Sequence, residues 1–390
     1  MFMEFIINGV TAFCGENLAF KEEQAIWIKD EMIYKVLPSD QIPSDKHVID
    51  RSGMFLLPGL IDLHVHIIWD GETDPVKTNA EESYEQIIIR AVTNYQKYIT
   101  KGITTIRDLG SIKDIALHVA EAADRNLIAG SRLVACGKTI TMTGGHDPFW
   151  GSFSDGPSEV LKATREQIYK HAGVIKVSAT GGVYGRSKGE VAERSELTYE
   201  ELKIICEEAH RFDLKVASHA IGREGIINSI NAGVDSIEHG HYIDEEIVEL
   251  MNRKGSSWVP TLEVYQKLAS LEHVPLYARE KAKKVIEAHE KAFCQFFDQV
   301  LVGAGSDAGS ISTPHPSLLG ELHTMNKYVN NPRDILKTAT VNAGKILGIP
   351  TGQITEGYFA DFILMDQNPL LDLNHLEEIK EVYLEGKRFV

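Results

Sequence analysis

Six residues of this chain have the types and spacing to hold a divalent cation. His64 and His66 stand one residue apart in the apolar run LLPGLIDLHVHI, residues 56–67. In an extended strand the side chains at i and i+2 leave on one face, so both imidazoles point the same way. Lys176 lies in GVIKVSAT, His219 in KVASHA, His239 in SIEHG and Asp307 in LVGAGSDA, each towards the C-terminal end of a short apolar run. Singly, each has a bland reading: a snorkelling lysine, a satisfied core histidine, a carboxylate capping a turn. Buried neutral imidazoles need partners, however, and a metal supplies them. Four imidazoles, one carboxylate and one amine meeting at one place form a nitrogen and oxygen site suited to Zn²⁺ or a similar ion.

Such convergence requires a scaffold. Strand-like runs occur at 60–66, 103–110, 132–137, 173–180, 215–220, 236–240, 257–261 and 301–308. Between most of them lie stretches of helical spacing, including 83–101, 199–212, 244–254 and 277–297. Strand alternating with helix eight times is the pattern of an α/β (β/α)8 TIM barrel, in which loops at the C-terminal ends of the strands carry the chemistry. An open doubly wound sheet would place a glycine-rich phosphate loop after its first strand, whereas here that strand ends in HxH. Two long glycine-containing connections, 141–157 and 180–195, follow strands of the expected barrel.

The two ends of the chain read differently. MEFIINGVTAF, QAIWIKDEMIYKVL and KHVIDRSGMFLL near the start, and the segments ending IKEVYLEGKRFV, alternate like strands broken by turns. The expected organisation is a small accessory, sandwich-like β domain from residues 1–57 plus 352–390, around a hydrolase barrel of residues 58–351.

Composition narrows the function classes. Lys plus Arg number 40 against 56 Asp plus Glu, a formal charge of −16, which argues against nucleic acid or an acidic membrane surface as partner. The four cysteines, Cys14, Cys136, Cys206 and Cys294, are far apart with no CxxC spacing. That excludes a cysteine zinc knuckle and fits a reduced compartment. With no basic, apolar leader and no apolar run of membrane length, the expectation is a cytoplasmic protein acting on a small molecule, compatible with a homo-oligomer.

The motifs together resemble the amidohydrolase superfamily over nearly the whole chain: PGLIDLHVH, IKVSATGG, SHA, IEHG, GSDAG, ATVNAGKILG and the closing ITEGYFADFILMD. Within it, TMTGGHDPFWG and STPHPSLLGEL are similar to loops of the metal-dependent Xaa-Pro and Xaa-Arg dipeptidase and carboxypeptidase branch, related to imidazolonepropionase. The resemblance implies a binuclear centre, with His64, His66 and Asp307 on one zinc ion and His219 and His239 on the other. Lys176, N6-carboxylated, would bridge them; an ordinary protonated lysine is a poor ligand, whereas a carbamate offers an oxygen to each ion. A shared water acidified to hydroxide would attack a peptide or N-acyl amino acid C–N bond, with Asp307 moving the proton and His146 hydrogen bonding the oxyanion.

An exopeptidase of that type must grip a free carboxylate, which makes Arg186 and Arg223, with Tyr184 and Lys188 nearby, the substrate-binding candidates. Ile221 departs from the branch, where a tyrosine follows the strand 5 His-Ala pair. His241 and His315 are candidate pocket-wall residues, and 281–284 and 377–381 read as solvated, charge-rich helix faces. Alternatives remain: a cyclic amide hydrolase or aminohydrolase of imidazolonepropionase or deaminase type, which would lack the lysine; a lactonase or esterase using the same centre; and a non-catalytic metal-binding scaffold.

Overall fold

The computed structural model describes residues 4–72, 74–185 and 188–390. Its strands are β1 (Glu4–Cys14), β2 (Ala19–Lys29), β3 (Met32–Pro38), β4 (Val48–Asp50), β5 (Phe55–Pro58), β6 (Leu60–Val65), β7 (Ile103–Asp108), β8 (Arg132–Ala135), β9 (Ile140–Thr141), β10 (Ser152–Phe153), β11 (Val174–Ser178), β12 (Lys215–Ala220), β13 (Ser236–His239), β14 (Ser257–Val259), β15 (Phe362–Met365), β16 (Ile379–Leu384) and β17 (Lys387–Arg388). Its helices are α1 (Pro75–Glu81), α2 (Tyr84–Ile99), α3 (Ile115–Asp124), α4 (Pro157–Tyr169), α5 (Tyr199–His210), α6 (Arg223–Ala232), α7 (Glu245–Lys254), α8 (Leu262–Ser270), α9 (Leu276–Phe296), α10 (Leu318–Val329), α11 (Pro332–Thr338) and α12 (Val341–Leu347).

The two ends of the chain share one eight-stranded sheet in the order β17-β16-β15-β5-β1-β2-β3, with β4 beside β1. Phe5, Ile7, Ile28, Phe362 and Tyr383 pack in its own apolar cluster. The acidic stretch expected on a helix face runs instead into β16, where Glu381 is buried and paired with Arg51 at 2.9 Å.

The middle of the chain forms two parallel sheets, β6-β7-β8 and β10-β9-β11-β12-β13-β14. All residues of β6, β7, β11, β13 and β14 are buried. Helices cover strands of this kind, so both faces are apolar and the sequence runs on without alternation. Seven of the eight strands expected from the sequence hold their places, ending up to two residues early, as at β13, where His239 turns left-handed at φ 69°.

Residues 301–308, expected as a strand, link the two sheets through hydrogen bonds without forming a ladder. Trp258 N donates to Leu301 O and Gly303 N to Trp258 O on one side; Leu63 N donates to Ala304 O and Asp307 N to His64 O on the other. The path passes very close to its neighbours. A Cβ on Gly305 would sit 2.6 Å from Val259 Cγ1 and 2.8 Å from His64 Cβ, so only glycine fits there.

Helix starts follow local chemistry. Ser83 with Gln86 opens α2 and Thr198 with Glu201 opens α5, each a reciprocal capping box. The expected end of α5 at residue 212 comes at His210, because Asp213 is left-handed at φ 58° and Leu214 N closes back on Ala209 O. Helix α1 was not expected; Asp74 caps it and Pro75 opens it.

Candidate metal centre

At the C-terminal ends of the parallel strands one buried cavity is lined by His64, His66, Lys176, His219, His239 and Asp307, the six residues singled out above. His64 and His66 come from β6, Lys176 from β11, His219 from β12 and His239 from β13. Neighbouring imidazole rings lie 4.6–5.3 Å apart, centre to centre. Ligand atoms of His64, His66 and Asp307 all fall within 4.8 Å of one another. His66 Nε2 is 3.4 Å from Asp307 Oδ1. Asp307 is left-handed, φ 55°, as is His239, and backbone strain of this kind persists where the surroundings impose it.

Each imidazole has one nitrogen engaged by the protein. His64 Nδ1 donates to Glu238 Oε2 at 2.9 Å and His219 Nε2 to Gly181 O at 3.0 Å. His239 Nδ1 is 2.7 Å from Thr261 Oγ1, and His66 Nδ1 is 3.4 Å from Gly110 O. Anchoring one nitrogen selects the tautomer and orients the other as a metal ligand. With one nitrogen of each ring so anchored, the donor set suits a divalent metal ion.

Electrostatics agree. Burial, assisted by the charge of Lys176, pushes His64 down to about 4. Burial likewise drives His219 and His239 well below the ordinary histidine value, so three of the rings stay neutral. Burial would also depress His66, but Asp307 beside it raises it. Asp307 is held near 2 against its own burial by His64 and His66. Lys176 is itself buried.

Several supporting residues were missed in the sequence. Arg107, fully enclosed in β7, donates to Glu238 Oε1 at 2.7 Å, and Glu238 is thereby held near 2 despite burial. Asp62 accepts from Ser306 N and Oγ and ties β6 to the segment carrying Asp307. Charged residues inside otherwise apolar strands were the available signal for Arg107 and Glu238, since unpaired charge is not buried.

His146 enters the cavity wall from the connection after β9, its ring stacked on His219 at 4.1 Å. Its Nδ1 is 2.6 Å from Glu190 Oε1 and its Nε2 3.3 Å from Asp147 Oδ1. Burial opposes protonation, but Asp147 and Glu190 raise His146 to about 9, leaving it a charged donor at neutral pH. Glu190 also accepts from Lys281 at 3.1 Å, so that residue of α9 is not part of the solvated face expected for it.

The substrate-binding candidates fare unevenly. Tyr184 lines the cavity, although its hydroxyl donates to Asp74 Oδ1 at 2.9 Å. Arg186 lies outside the described residues. Lys188 is exposed. Arg223 does not reach the cavity: as the first residue of α6 it points along the surface to Asp244 at 2.6 Å and to Glu246. His241 and His315 lie behind the wall, His241 against Tyr265 and His289, and His315 between Tyr98 and Trp69 O.

Comparison with known proteins gives the arrangement its relatives. The pattern of the amidohydrolase family matches residues 55–389. An ochratoxinase of Aspergillus niger is 31% identical over 373 residues, 86% of this chain and 75% of that protein. An imidazolonepropionase of Deinococcus radiodurans is 23% identical, over 95% of this chain and 93% of its own length. A crystal structure of an Xaa-Pro dipeptidase with methionine bound in the active site superposes with a TM-score of 0.89 at 28% identity, over 99% of this chain and 100% of that one.

Proposed function

This chain belongs to the amidohydrolase family and is a hydrolase acting on C–N bonds, and from that premise we propose that it cleaves the amide of a dipeptide or N-acyl amino acid at a binuclear metal centre. The observation that carries the reading is the convergence of four imidazoles, Lys176 and Asp307 on one buried cavity, with the far nitrogens already anchored. Likeness to an ochratoxinase and to an Xaa-Pro dipeptidase supports it. We infer also that β6, β7, β8, β11, β12, β13 and β14 together with residues 301–308 make one eight-stranded ring, to which the short β9 and β10 are additions, with the terminal sheet as a separate domain.

His64, His66 and Asp307 would hold one divalent ion, most simply Zn²⁺, and His219 and His239 a second, with Lys176 as a carbamate serving both. Bound there, such ions supply Lewis acidity that polarises the scissile carbonyl and acidifies a water. Asp307, which lines the cavity and is ionised, would accept the proton of the attacking water, and its low proton affinity makes it quick to pass that proton on to the leaving nitrogen. His146, protonated and fixed by Glu190, donates to the carbonyl oxygen as charge develops on it. With Nδ1 held by Glu190, Nε2 is the atom that would donate; Asp147, 3.3 Å from it, is itself held by a hydrogen bond from Ser178 Oγ.

The imidazolonepropionase or deaminase reading has no use for a lysine in the cavity floor, and the position of Lys176 therefore favours the dipeptidase-like reading. Three of the four cysteines are buried and all are free, in keeping with a reduced, cytoplasmic setting. Among the described residues no helix is long and apolar enough to cross a membrane. The test is a screen of the zinc-loaded protein against Xaa-Pro, Xaa-Arg/Lys and N-acyl amino acid libraries, with ester and lactone controls. Amide turnover abolished by chelation and restored by zinc is the expected result. Turnover that survives exhaustive chelation would refute the proposal.

A further inference from the structure

Apart from His146, Asp147 and Ser310, the residues lining the cavity beside the six candidate ligands are aromatic or aliphatic, and its two tryptophans differ in one respect. Trp150 stacks on the His66 ring at 4.9 Å, and its indole N–H donates to Thr139 Oγ1 at 3.0 Å. Trp69 packs on Trp150 at 4.5 Å and is 4% exposed, yet its Nε1 is buried with no acceptor among the described residues. A buried donor without a partner is costly, and native proteins keep few of them away from functional sites. Opposite stand Val264, Tyr265 and Leu268 of α8. Among the described residues of the lining, Lys176 is the only lysine or arginine.

Resting on the reading above, we propose that the substrate is an amide with an aromatic or bulky apolar group next to the scissile bond, and that Trp69 is its specificity residue. The group packs against the Trp69 and Trp150 rings, and the indole N–H of Trp69 donates to an oxygen carried on the same part of the substrate. The wall serves such a substrate twice: the rings remove its apolar surface from water, and its oxygen satisfies the orphan donor. A small or strongly polar side chain does neither.

Two substrate series test this on the zinc-loaded enzyme: N-acetyl amino acids with alanine, leucine or phenylalanine side chains, and alanine amides with acetyl or benzoyl groups. In at least one series kcat/KM is expected to rise about 30- to 100-fold from the smallest to the aromatic member. Trp69→Phe keeps the apolar face and removes the N–H. It is expected to raise KM for the aromatic substrate about tenfold with kcat little changed, and to weaken binding of N-acetylphenylalanine by the same factor in a fluorescence titration. Cleavage of every member within about threefold would overturn the aromatic preference. An unchanged KM and unchanged binding in Trp69→Phe, with the thermal midpoint confirming a folded protein, would overturn the role of the N–H. Cleavage of no amide at all would instead sink the proposed function itself.

Discussion

Protonation of a histidine buried against other rings should set part of this protein's acid stability. His289 of α9 is fully buried, stacked on His241 at 3.9 Å and edge-on to Tyr265 at 5.6 Å. The backbone of His239 and Pro260 lies close by, but neither ring nitrogen of His289 makes a hydrogen bond among the described residues. Burial pushes it down to about 3. In the unfolded chain it returns to about 6.5. The folded value is the lower one, so the stabilisation is complete above pH 6.5 and is lost as pH falls towards 3. Between pH 7 and pH 5 the unfolded state takes up nearly one proton that the folded state refuses, which costs about 2 kcal/mol. His289→Phe keeps a stacked ring and removes the titrating group. Urea unfolding of both proteins at pH 7, 6 and 5 should show the variant losing about 2 kcal/mol less over that range. Asp62, Asp108 and Glu321, raised by burial to about 7, 6 and 8, hold protons in the folded state and pull the other way. The readout is therefore the difference between variant and parent, in which their contributions cancel. Parallel pH profiles would mean that His289 is hydrated or charged in the fold, and the reasoning would fail.

Other substitutions separate roles within the site. Thr261→Val removes the partner of His239 Nδ1 without changing shape, and should lower metal affinity about 10- to 100-fold in a chelator competition, with Thr261→Ser restoring it. Lys176→Ala should leave the protein folded with one metal equivalent or fewer by elemental analysis, against two in the parent; two equivalents in the variant would remove the carbamate from the scheme. Arg223→Met should change KM less than twofold and leave the urea unfolding midpoint where it is in the parent, because its exposed ion pairs lie away from the cavity. Gly305→Ala forces a methyl against His64 and Val259 and should cost about 1–3 kcal/mol in urea unfolding together with part of the bound metal.

What could be read from the sequence, and what could not, divides along a physical line. The convergence of the candidate residues on one cavity was legible because strand geometry is local: the i, i+2 spacing aims His64 and His66 together, and a strand's end places His219 or His239 at the cavity without knowledge of its neighbours. Orientation beyond a strand's end is not local. Arg223 stands four residues after His219, but the turn into α6 sends it outward, where Asp244 and Glu246 claim it. The segment 301–308, expected as a strand, bonds to β6 and β14 without forming a ladder; Gly303 answers to the closeness of Leu63 and Ile346 and Gly305 to that of His64 and Val259.

The partners of the ligands are non-local for the same reason, but one of them left a trace. ITTIRD carries Arg107 and Asp108, and SIEH carries Glu238, charges that an apolar, two-sided strand cannot bury alone. Opposite charges on two such strands imply that the strands bring them together, and the structure has Arg107 and Glu238 at 2.7 Å. Once Arg107 holds one oxygen of that carboxylate, the other is free to accept a hydrogen bond from His64 Nδ1–H, at 2.9 Å. The ring is then neutral, fixed in one tautomer, and turned towards Asp307. A buried ion pair of this kind contributes little net stability. Its cost is better understood as what keeps the His64 ring aimed into the cavity, which is why Thr261, doing the same for His239 without a charge, offers the cleaner place to measure it.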